Sequence, residues 1–91
     1  MITMWLETEA TPGEPPEETE RRELAAEVAE AFAENGMPLS MLDGQESAYV
    51  RAWLRAMLAV KIPNDDTARD AVAPLVEDCE RHPEAIVRVV L

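Results

Sequence analysis

Residues 86–91 read IVRVVL. Four of the six are β-branched, and such residues favour extended backbone. Pro83 can nevertheless open a helix, with Glu84 behind it in the first turn. Ile86, Val89 and Val90 would then face inward. We adopt the helix here. The alternative is a strand, whose natural partner is ITMWL at residues 2–6. The fold class turns on this choice.

The first expected helix runs from about residue 16 to 35. Pro16 suits its first position, and Glu17 and Glu18 suit its first turn. Leu24, Val28 and Phe32 repeat every four residues and form its apolar stripe. Asn35-Gly36 is a stop signal, since glycine accepts the left-handed conformation that ends many helices. MPLSML (37–42) is expected to cap the core with a short helical turn. Asp43 and Glu46 have the spacing of a capping box. They announce a second helix over about 44–62, ending before Pro63. Its apolar residues, Trp53 and Met57 among them, cover so much of its circumference that it is expected to be buried on several sides. Asn64, Asp65 or Asp66 can cap a third helix with the face Ala68, Val72, Leu75, Val76 and Cys79. Pro74 lies inside that pattern and is expected to kink or split it.

Ahead of these helices, ETEATPGEPP (7–16) is acidic, with three prolines and a glycine. That composition disfavours packing and reads as a flexible linker behind an apolar bead, MITMWL. The expected architecture is a small all-α bundle of three to four helices over residues 16–91. A disordered acidic arm over 1–15 precedes it.

The net charge is −11, and it is uneven. Residues 7–34 sum to −8, residues 35–62 to +1 and residues 63–91 to −4. Such a chain repels nucleic-acid phosphates and anionic membranes and favours basic protein partners. The single cysteine, Cys79, allows no internal disulfide and fits a reducing compartment. MITMWLETEA lacks a basic leader, and no stretch has the length to span a bilayer. The expected location is cytoplasmic.

Glu20, Glu23, Glu27, Glu30 and Glu34 fall at spacings of 3 and 4, which places them on one ridge of the first helix. The bland interpretation is a solvated face. The functional one is a docking strip for a basic surface, or an imitation of a phosphate backbone. Trp5 either folds back onto the domain or anchors in a partner's pocket, as tryptophans at binding hot spots do. Cys79-x-x-His82 has a metal or nucleophile flavour, but zinc wants four ligands and no second Cys or His exists. A buried cysteine beside a boundary histidine is the reading preferred. Asn64-Asp65-Asp66 lacks the alternate ligands and glycine of a calcium loop. The glycines are too scattered for a phosphate loop. Arg51 and Arg55 are expected to balance the chain's own acids.

The run GMPLSML…YVRAWLRAML resembles, in Tyr49, Trp53 and Leu54 and the glycine-ended helix before them, the helical N-terminal segment of nitrile hydratase β subunits and their accessory proteins. The spacing is shorter here and nothing beyond residue 62 matches, so no family follows from it.

The reading is a non-enzymatic interaction protein without cofactor, an adaptor, inhibitor or accessory subunit. Its partner would be another protein with a basic surface. Two alternatives are a small subunit or maturation factor of a metalloenzyme, using Cys79 and His82, and an inhibitor that mimics nucleic acid.

Overall fold

The computed structural model describes residues 1–8 and 12–91. Its fold is α+β, with three α-helices on one face of a three-stranded antiparallel sheet. The elements run β1 (Ile2–Glu7), β2 (Arg22–Leu24), α1 (Ala26–Glu34), a 3-10 turn (Leu39–Leu42), α2 (Ser47–Ala56), a π turn (Met57–Lys61), α3 (Asp66–Arg81) and β3 (Ile86–Val90). The all-α expectation is therefore overturned. IVRVVL is a strand, and its partner is ITMWL.

β1 is the central strand, in the order β2-β1-β3. Met4 pairs with Val89 and Leu6 with Val87 on one side, and Ile2 pairs with Leu24 on the other. Strand residues alternate between faces. Ile2, Met4 and Leu6 thus point into the core with Leu24 and Val87, all buried. The expectation of a disordered arm over 1–15 is corrected within the described residues, where 2–7 are the middle of the sheet. The expected linker includes residues 9–11, which lie outside the described residues.

The helix expected from residue 16 begins only at Ala26. Residues 17–24 run antiparallel along β1 instead. The Thr8 N–H donates to the Glu17 carbonyl at 2.8 Å and the Thr19 N–H to the Leu6 carbonyl at 2.9 Å. Ile2–Met4 face Leu24–Arg22, but Glu7 faces Glu18. Trp5 and Leu6 therefore oppose three residues, Thr19–Arg21, which is a β-bulge. The start of a helix here loses to pairing, because β1 has an open edge that needs partners.

α1 ends as expected. Gly36 has φ +89°, and the Gly36 and Met37 amides donate back to the Ala33 and Phe32 carbonyls at 3.1 and 3.0 Å. This is the glycine-closed helix end that the sequence announces. Leu39 and Leu42 of the 3-10 turn are buried caps on the core. The capping box does not form. α2 starts at Ser47, and Glu46 caps nothing with its side chain. Asp43 serves β3 instead. Its carboxylate accepts from the Val89 amide at 2.9 Å and from Arg88 at 3.0 Å. The Gly44 amide and the Gln45 carbonyl complete the cover over the outer edge of β3 through Val87, each at 2.8 Å. Blocking an edge in this way keeps other chains from adding to it.

α3 runs unbroken through Pro74. The proline forfeits one bond to the Asp70 carbonyl, and Asp70 is exposed, so water can take that acceptor. Asp65 caps the helix, accepting from the Ala68 amide at 2.9 Å.

Candidate partner-docking surface

The second helix is not buried on several sides. Val50, Leu54 and Met57 face the core, but Tyr49 is 49% exposed, Trp53 42% and Val60 72%. Trp53 is thus a surface residue, contrary to the expectation that helix 3 closes the core over it and Met57. The reason is steric. One face of α2 fills the space against α3 and β3, and the sheet takes the sides of the core that the long first helix and a last helix were expected to fill.

The outward face of α2 and its π turn is largely apolar, with Arg55 and Lys61 exposed among its residues. Ala48, Ala52, Ala56 and Ala59 form a low ridge, with Tyr49, Trp53 and Val60 rising beside it, and all seven are exposed. Between residues 48 and 60 the only charges are Arg51 and Arg55. The chain as a whole is 30% charged, so the gap is local. The Tyr49 and Trp53 rings meet edge to face, 6.1 Å apart at 67°. That pairing fixes two large side chains in place before any partner arrives.

Ala59 also lines a groove of about 490 Å³ between α2 and α3. Leu58, Ala73 and Val76 supply its apolar lining, and Arg55, Arg69, Glu77 and Glu80 its charged one. Arg51 and Arg55 both turn to Glu80, at 3.2 and 3.8 Å, so these arginines balance the chain's own acids as expected.

The acidic ridge is divided. Glu20 lies ahead of β2 and pairs with Arg22 at 3.0 Å. Glu23 sits on β2 opposite Thr3. Only Glu27, Glu30 and Glu34 ride on α1, exposed. Glu27 shares a small surface hollow with Asp65 from the loop before α3. Trp5 is 6% exposed on the central strand, with the Arg21 guanidinium 4.0 Å above its ring. That cation–π contact closes the outer face of the sheet over it. The Trp5 indole N–H is buried without an acceptor among the described residues.

Cys79 is fully buried and His82 exposed at the end of α3. Burial, with the Asp78 charge beside it, pushes the Cys79 thiol up to about 11, so it is protonated and a poor nucleophile at neutral pH. Among the described residues no group of three His, Cys, Asp or Glu is placed to hold a metal ion. No helix among them is long and apolar enough to cross a membrane.

The exposed α2 face is the feature that sequence reasoning missed. Its signal was present as apolar residues on too many sides of one helix. In a single chain that pattern reads as burial, and only the fold shows which side is left over.

No protein-family model matches the chain, and neither a curated protein nor a solved structure resembles it closely enough to count as a match.

Proposed function

We propose that this chain is a non-enzymatic interaction protein that docks another protein, one with basic character, through the outward face of α2. The observation that carries the reading is the exposed Tyr49–Trp53 pair on a helix face whose other exposed positions are alanines, Val60 and two arginines. Contiguous exposed apolar surface on a small domain marks interaction sites, and tryptophan and tyrosine dominate their energetics. The charge of −11 supports a basic partner, since opposite charge speeds encounter. A cytoplasmic setting fits the one free cysteine.

The test is a photo-crosslinking amino acid placed at position 53 in one preparation and at exposed Glu14 in another. A protein captured only through position 53 is then purified. Its affinity for the unmodified chain is expected to fall at least tenfold with Trp53→Ser, while the variant still unfolds in one cooperative transition well above the binding temperature. Crosslinks of equal yield from both positions, or a captured protein that binds Trp53→Ser as well as wild type, would overturn the reading.

A further inference from the structure

We infer that residues 12–21 form a strap that lifts from β1 as a unit while the rest of the fold stays closed, so that Trp5 is gated rather than permanently buried. Two sets of observations carry this, one on how little holds the strap and one on what it covers.

The strap buries nothing of its own. No residue from 12 to 21 is buried, and Thr19 alone is partly covered. Four hydrogen bonds tie it to β1 and Thr8. The Thr8 amide and the Thr8 hydroxyl donate to the Glu17 carbonyl at 2.8 and 3.2 Å. The Thr19 amide donates to the Leu6 carbonyl at 2.9 Å, and the Leu6 amide donates to the Thr19 hydroxyl at 2.9 Å. In the last of these a side chain stands in for a backbone carbonyl, because the bulge interrupts the ladder there. Segments with few buried apolar contacts and exposed hydrogen bonds are the ones that open ahead of the whole fold.

What lies beneath is imperfectly satisfied. Trp5 is 6% exposed, yet its indole N–H has no acceptor among the described residues. A buried donor without a partner favours any state in which water reaches it. Glu18 faces Glu7 across the strands, where like charges repel. Each has an arginine, with Arg21 at 3.3 Å from Glu18 and Arg88 at 4.0 Å from Glu7. All four side chains are at least a quarter exposed, so solvent weakens what those pairs offset. The lid over the Trp5 ring is the Arg21 guanidinium, itself an exposed side chain.

Firmer contacts set the limits of the moving unit. β1 keeps its five pairings with β3 on its other side. Leu6 and Thr8 turn their amides to the strap, so the alternate residues Thr3, Trp5 and Glu7 turn theirs to β3. Past the strap, Asp78 holds Arg22 with two hydrogen bonds, and Leu24 is buried in the core. Opening therefore ends at Arg22. It uncovers Trp5 and the edge of β1 from Leu6 to Thr8, and it leaves the helices and β3 in place.

The test is hydrogen exchange followed by NMR on the full chain, at several urea concentrations below unfolding. The Leu6, Thr8 and Thr19 amides and the Trp5 indole N–H are expected to share one protection factor. It should be at least a hundredfold smaller than that of the Trp5 backbone amide and of the Leu75 amide in α3. It should also change little with urea, since a local opening exposes little surface. Arg21→Ala should lower protection in the first group at least threefold and leave that of Leu75 unchanged. Equal protection in the two groups, with equal urea dependence, would mean that the strap leaves only when the chain unfolds, and would overturn the inference. So would an indole N–H as slow as Leu75 beside fast Thr8 and Thr19 amides, because the strap would then fray without uncovering Trp5. An indole N–H unmoved by Arg21→Ala, or a loss of protection shared equally by Leu75, would overturn it as well.

Discussion

The Arg22 guanidinium grips the Asp78 carboxylate with two hydrogen bonds, Nε to Oδ2 at 3.1 Å and Nη2 to Oδ1 at 3.3 Å. Asp78 is buried and Arg22 is one-quarter exposed, so the pair ties the edge strand β2 to α3 from the wet side inward. Removing Arg22 alone strands a buried carboxylate. Arg22→Ala is therefore expected to cost about 1–3 kcal/mol. Thermal unfolding should show a drop of roughly 4–8 °C per kcal/mol for a domain of this size. Replacing both partners, Arg22→Met with Asp78→Leu, should recover much of the loss, because no charge is then left unpaired. A double variant less stable than Arg22→Ala would show that the pair itself, not its orphan, holds the sheet to the helix.

Leu6 and Trp53 should exchange the roles that hydrophobicity alone suggests. Leu6 is fully buried on the central strand, so Leu6→Ala is expected to cost about 2–5 kcal/mol. Trp53→Ala should cost at most about 1.5 kcal/mol, mainly the edge-to-face contact with Tyr49. Deleting residues 1–7 should unfold the chain outright, since both other strands then lose their partner. Denaturant melts of the three variants decide the matter.

Cys79 should resist alkylation in the folded protein at pH 7–8 and react only as fast as the chain unfolds. Its thiol is raised in the fold, so the folded state holds the proton more tightly than the unfolded state does. The resulting stability is present below the ordinary thiol range and is lost as pH rises toward about 11. Melting temperature should fall over that alkaline window in wild type and fall less in Cys79→Ala.

Asp43 titrates in the opposite sense. The Val89 amide, and then the Arg88 guanidinium, hold its carboxyl below the ordinary carboxylate range. Its support is present above that range and is lost as pH falls through the lowered value. Asp43→Ala should speed hydrogen exchange at the Val89 amide while Val87, held by the Gln45 carbonyl, stays protected. Equal acceleration at both amides would mean that the whole edge cover had come away.

Local signals were legible and distant ones were not. Asn35-Gly36, the 3-10 turn at Leu39 and Leu42 and the face of α3 all follow from neighbours in sequence. β1 and β3 do not, because Met4 and Val89 satisfy each other from opposite ends of the chain. Leu24 shows why the first helix was drawn too long. It continues the Val28 and Phe32 period, yet its inward direction serves equally as a strand residue beside Ile2. The same ambiguity split the glutamate ridge, leaving only Glu27, Glu30 and Glu34 on a helix. Of the candidate surface, Trp53 and Tyr49 were visible as large apolar residues, but a core and an interface ask for the same side chains.

The first strand of the chain is also the middle strand of its sheet, and β3 is the last element to follow it. During synthesis β1 must therefore wait for residues 86–90. Meanwhile Met4 and Leu6 are uncovered and one edge of their strand is vacant. Closing so large a loop costs entropy that only the finished sheet returns, which slows folding. A waiting apolar strand is the kind of segment that associates with its own kind in crowded solution. The acids crowded into residues 7–34 give nascent copies a mutual repulsion over that interval. On this view the charge that ends up on the surface does its first service before the fold exists, as an escort for the strand beside it.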